Sequence, residues 1–94
     1  MSPDIAARLQ AVHIECFENE KGYCFAVRDN CMAIVSGGSP GSSAMATDSG
    51  FAFLVWRDGQ PYLAAHGAPA NPATPEQVET LRRFSEDLKA ALHT

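Results

Sequence analysis

The sequence predicts an α+β fold: a largely antiparallel five-stranded sheet in the order α-β-β-β-loop-β-β-α, with N- and C-terminal helices packed on it, as one domain over residues 1–94. Three observations carry this expectation. Asp58-Gly59 sits between two apolar runs, and a two-residue type I′ hairpin turn needs positive φ at both central positions, which Asp-Gly supplies. Thr74-Pro75-Glu76-Gln77 has the order of a helix start and precedes apolar residues at helical spacing. Residues 12–36 hold three short segments rich in β-branched, aromatic and cysteine residues, separated by turn formers.

Taken in order, Ser2-Pro3-Asp4 supplies an N-cap, a proline at the first helical position and a first-turn acid. Ile5, Leu9 and Val12 follow at helical spacing. The helix is expected to stop near Ala11 rather than continue to Phe17, because residues 12–17 alternate and favour a strand. Residues 18–22 then form a hairpin loop, with Gly22 suited to the left-handed position of a bulge. A second strand covers residues 23–28, Asp29-Asn30 makes a tight turn, and a third strand covers residues 31–36. Residues 37–50, GGSPGSSAMATDSG, are expected to be a loop, with one helical turn around residues 43–47.

Phe51 to Trp56 and Pro61 to His66 give strands four and five. A two-residue loop pairs Arg57 with Gln60, Trp56 with Pro61 and Val55 with Tyr62. Pro61 then falls at a non-hydrogen-bonded pair, where its missing N–H points away from the partner, so the fifth strand is expected at a sheet edge. Residues 68–73 read as a proline-rich linker. In the last helix Thr74 is the N-cap and Gln77 completes a capping box, and Val78, Leu81, Phe84 or Ser85, Leu88 and Leu92 form the apolar stripe.

Composition narrows the function classes. A 94-residue domain buries only about 60–65% of its unfolded surface. The net charge of −4 and seven scattered Lys and Arg argue against direct nucleic-acid binding, which needs clustered cations. The first ten residues lack a basic region followed by an apolar one, so no signal peptide is expected, and no apolar run is long enough for a bilayer. Cys16, Cys24 and Cys31 are an odd number, read as free thiols in a reducing cytoplasm.

Motifs for chemistry are few. Gly37-Gly38-Ser39-Pro40-Gly41 matches G-x-S-x-G, but the oxyanion hole needs the N–H of the residue after the serine, and Pro40 has none. The Gly-Lys-Ser/Thr ending of a phosphate-binding loop is missing from the same segment. His13, Cys16, Cys24 and Cys31 offer zinc-ligand types, yet hairpin register separates Cys24 from Cys31 by four strand residues, roughly 13 Å, too far for one tetrahedral site. A cysteine nucleophile paired with His66 has no local activating group. No metal, cofactor or catalytic residue is therefore expected.

The apolar hairpin carries the functional expectation. Phe51, Phe53, Val55, Tyr62 and Ala64 share one face, and Leu54, Trp56, Leu63 and Ala65 the other. Either the helices, or a helix and the long loop, cover both faces, or one face docks another chain. Phe51, Phe53, Trp56 and Tyr62 are the interface candidates, because aromatic residues anchor interfaces. Glu15, Glu18 and Glu20 are a candidate acidic contact surface. The leading expectation is a non-enzymatic cytoplasmic protein-binding module, an inhibitor, adaptor or chaperone-like protein, whose partner is another protein or a second copy. The alternative is a small-ligand or metal-binding domain with a pocket near His13, Cys16 and His66; a cysteine enzyme is the third class considered.

Overall fold

Helix α1 (Pro3–Ala11) ends where the alternating pattern begins, as expected. The computed structural model describes residues 3–36, 39–48 and 50–92, so the N-cap role of Ser2 lies outside it. The end of α1 is closed by a Schellman arrangement. The Ile14 N–H donates to the Leu9 carbonyl at 2.9 Å and the His13 N–H to the Gln10 carbonyl at 3.0 Å, with His13 at φ 62°. Leu9 and Ile14, joined by that bond, are both buried.

Strands β1 (Glu15–Glu18), β2 (Cys24–Arg28) and β3 (Cys31–Ser36) form two antiparallel hairpins. In the first loop Asn19 Oδ1 accepts the N–H groups of Lys21 and Tyr23, and Gly22 takes φ 81°. Asp29 and Asn30 both have positive φ, the type I′ geometry, and pair Arg28 with Cys31 and Cys24 with Val35 as the sequence predicts. The same geometry recurs at Asp58 and Gly59, between β6 (Gly50–Arg57) and β7 (Gln60–Ala65), where Trp56 opposes Pro61.

The sheet is larger than the five strands expected. Among the described residues its continuous path holds seven strands, in the order β1, β2, β3, β5 (Ala44–Thr47), β6, β7 and β8 (Asn71–Pro72), all adjacent pairs antiparallel. Strand β5 (Ala44–Thr47) replaces the expected helical turn and bridges β3 to β6. A Gly-Ser-rich context hides it, and its pairing is imposed by two flanking strands that each need a partner for their backbone groups. Ser39–Pro40 (β4) pairs with the end of β3, so the serine of the G-x-S-x-G motif sits in a strand pairing rather than at a strand-to-helix elbow; residues 37 and 38 lie outside the described chain. Asn71–Pro72 (β8) pairs with Tyr62 and Leu63, and the Ala73 N–H donates to the Pro61 carbonyl at 3.0 Å. The expected edge strand β7 is therefore partly covered, on the side toward which Pro61 turns its carbonyl.

Helix α2 (Pro75–Leu92) starts with the expected capping box. The Gln77 N–H donates to Thr74 Oγ1 at 3.1 Å, and the Thr74 N–H to Gln77 Oε1 at 2.9 Å. Its buried side chains, Leu81, Phe84, Leu88 and Ala91, join Leu9 and Ile14 over one side of the sheet. Most of the sheet residues beneath them are small, Cys24, Ala26, Cys31, Ala33 and Ala52, with Val35, Met45 and Leu63 the larger ones. Small residues there let the helices approach closely and let Phe84 and Leu88 fill the space between layers. Arg28 pins this layer: its Nη1 donates to the Val12 carbonyl at 2.7 Å and to Asp87 Oδ2 at 2.8 Å, and its guanidinium lies 5.9 Å from the Phe84 ring centre. Among the described residues no helix is long and apolar enough to cross a membrane.

Candidate interaction surface

Both helices pack on the same face of the sheet, so the other face is open. Register assigns its residues. Phe17, Phe25 and Ile34 lie side by side across β1, β2 and β3. Glu15, Val27, Met32, Ala44, Phe53 and Ala64 form one unbroken cross-strand row from β1 to β7. Ala46 pairs with Phe51, and Val55 with Tyr62. The described strand residues of this face are apolar or aromatic except Glu15 and, at strand ends, Ser36, Arg57 and Gln60.

These side chains are exposed: Phe17 by 52%, Ile34 by 42%, Phe51 by 45% and Phe53 by 47%. Within the row Ala44 is buried and Val27, Met32 and Ala64 are half-buried, so the exposed apolar area comes from the large side chains grouped around it; isolated exposed apolar residues are ordinary on a protein surface, but such a grouping is not. The sequence-predicted sharing of one face by Phe51, Phe53, Val55, Tyr62 and Ala64 holds, and that face is the uncovered one.

The remaining candidates do not join them. Trp56, 60% exposed, belongs by register to the helix-bearing face and lines an open groove of about 630 Å³ with Leu54, Val78, Leu81, Arg82 and Lys89, a groove that Phe53 also borders. The acids are dispersed. Glu15 lies on the open face at its β1 end, Glu18 has the opposite parity on the same strand, and Glu20 sits in the hairpin loop. They do not form a single acidic surface.

Potential chemical groups are also held apart. None of the three cysteines is in a disulfide, and all lie on the helix-bearing side of the sheet. Burial, and then neighbouring Cys16, push the Cys24 thiol up to about 11; burial, and then Asp29, do the same to Cys31. Thiols raised in this way are poor nucleophiles at neutral pH. His66 follows β7, five strand spacings or roughly 24 Å from Cys16 on β1, so His13, Cys16 and His66 do not converge on one pocket. Among the described residues no three His, Cys, Asp or Glu side chains are grouped to hold a metal ion. On the outer side of α2, Glu79 bonds to Arg82 and Arg83, and Arg82 also to Glu86 at 2.7 Å, a ladder of exposed opposite charges.

Sequence reasoning located the β6–β7 half of the open face and missed the β1–β3 half. The missing signal was the size pattern within β2 and β3. Cys24, Ala26, Cys31 and Ala33 alternate with the larger Phe25, Val27, Met32 and Ile34, so the bulky residues point away from the small, helix-covered ones. Comparison with protein-family models, with curated proteins and with solved structures finds no match to this chain.

Proposed function

We propose that this chain is a non-enzymatic protein-binding module of the cytoplasm, of the inhibitor, adaptor or chaperone-like kind, working through the open face of its sheet. The observation that carries the reading is the apolar row from Val27 to Ala64, with Phe17, Ile34, Phe51 and Phe53 exposed on the side opposite the helices. Exposed apolar area of this extent is costly in water, and burying it against a partner recovers that cost at about 25 cal/mol per Å² before association entropy is subtracted. The dispersed acids and the raised thiols add no competing site.

The test is capture from native extract on immobilised wild-type chain and on Phe53→Glu, with circular dichroism to verify the fold. Because Phe53 is exposed, its substitution leaves the core untouched. A protein, whether a second copy or another chain, retained by wild type and lost with Phe53→Glu supports the reading. Equal retention by both, or none by either, overturns it.

A further inference from the structure

The geometry points to a second copy of this chain as the occupant of the open face, the two sheets stacking face to face as an isologous homodimer. The inference rests on the protein-binding reading and names its partner. Four observations select a copy over an unrelated chain.

The first is area. Stacked about an axis between β5 and β6, six of the seven strands overlap, and at about 4.8 Å per strand and about five residues each at roughly 3.3 Å they give a shared face near 29 × 17 Å. That is on the order of 500 Å² in projection per protomer and about 1,000 Å² for a pair, at the lower bound for a specific interface and in keeping with a reversible dimer. The second is charge. The protein carries −4, yet the described strand residues of this face hold one acid and one base, Glu15 at the β1 end and Arg57 at the end of β6. A strongly basic or acidic partner finds little complementary charge there, whereas two copies meet across a surface of no net charge with both charged groups at its margins.

The third is relief. Phe51 and Phe53 stand on β6, while neighbouring β5 presents only Ala44 and Ala46 to the same side. A two-fold axis parallel to the strands and lying between β5 and β6 brings each phenylalanine row over the partner's alanine strand, so ridge meets trough twice. The trough is open at Ala46, where Val27, Phe51 and Glu15 are among the residues that border a groove of about 510 Å³. The fourth is timing. A face this apolar must be covered as soon as the sheet forms, and the partner present in equal amount at that moment is another copy.

Sedimentation equilibrium of the purified full chain tests the inference, run from micromolar to submillimolar concentration at low and high NaCl. The expected result is a reversible dimer of two 10.1 kDa chains whose association strengthens or holds as salt rises, because salt screens repulsion between like-charged protomers. Phe53→Glu and, from the other half of the face, Ile34→Lys each weaken association at least 100-fold with the circular dichroism spectrum retained. Trp56→Ala, on the opposite side, leaves it unchanged. If one of the two charged variants fails to fold, the other decides. A wild-type monomer over the whole range overturns the inference, as does a dimer lost with Trp56→Ala but not with the face variants. A monomer that still captures a different protein through Phe53 overturns the inference and leaves the protein-binding reading standing; a monomer with no Phe53-dependent capture ends both.

Discussion

Phe84 and Phe53 are the same residue type on opposite sides of this sheet, and truncating each to alanine separates core from working surface. Phe84 is fully buried between the helices and the small residues of β2 and β3. Phe84→Ala loses the transfer free energy of the ring, leaves a cavity and removes the contact with Arg28, a cost of about 3–5 kcal/mol. At about 0.05–0.15 kcal/mol per residue, 94 residues hold roughly 5–14 kcal/mol in total, so this one change removes a large fraction. At about 4–8 °C per kcal/mol the melting temperature falls by roughly 12–40 °C. Phe53 is 47% exposed, so only about half of the 1.5–3 kcal/mol of a fully buried side chain is at stake, near 1 kcal/mol. The assay is urea unfolding followed by Trp56 fluorescence and circular dichroism, at low and at high protein concentration. The Phe84→Ala cost is the same at both. The Phe53→Ala cost starts near 1 kcal/mol and grows with concentration, since dimerisation stabilises the wild type by mass action. Equal costs for the two variants at the lowest concentration would refute the assignment of Phe53 to an uncovered face.

Other expectations follow from the same contacts. Thr74→Ala removes one arm of the α2 capping box and lowers stability by about 1 kcal/mol, whereas Thr74→Ser retains it; urea midpoints decide. Arg82, then Arg83, hold the Glu79 carboxyl at about 2, below its ordinary 4.5. A depressed folded pKa gives stability that is complete above the unfolded value and disappears as pH falls through the folded one, so wild type loses more melting temperature between about pH 5 and pH 2 than Glu79→Gln does, and parallel curves would contradict the ladder. Cys24 and Cys31, buried and raised to about 11, react with iodoacetamide at pH near 8 only through unfolding, and mass spectrometry should show rapid labelling of both once urea passes the midpoint. Labelling in the native state at the rate of a free cysteine would contradict their placement.

The parts of the fold legible in the sequence are those written locally. Asp29-Asn30 and Asp58-Gly59 each supply two residues that tolerate positive φ, and each fixed both a turn and the register beyond it. Thr74 and Gln77 reach each other within one helical turn, so their pairing is visible three residues apart. The elements that escaped are those written non-locally. Ala44–Thr47 has little strand preference of its own and becomes β5 because β3 and β6 flank it. Asn71–Pro72 becomes β8 through backbone groups alone. At the end of α1, His13 takes the left-handed position usually given to glycine, and buried Leu9 and Ile14 fix that turn.

The candidate surface divides in the same way. Alternation along β6 and β7 showed which residues share a face but not which face the helices would choose, since both were apolar. That choice depends on Ala26, Ala33 and Ala52, which leave room for Phe84 and Leu88 on one side only. Trp56 is an interface candidate by residue type like Phe51 and Phe53, but the same alternation already assigns it to the opposite face, and the register agrees.

That separation provides the most direct measurement. Hydroxyl-radical footprinting of the purified chain reads the oxidation of Phe51, Phe53 and Trp56 in one experiment, at a concentration well above the dimer dissociation constant and again after dilution below it. A face-to-face sheet dimer predicts that Phe51 and Phe53 are protected at high concentration and regain reactivity on dilution, while Trp56 is oxidised equally in both. Unchanged reactivity of Phe51 and Phe53, or protection of Trp56 in their place, would contradict the open sheet face as the surface through which this chain associates.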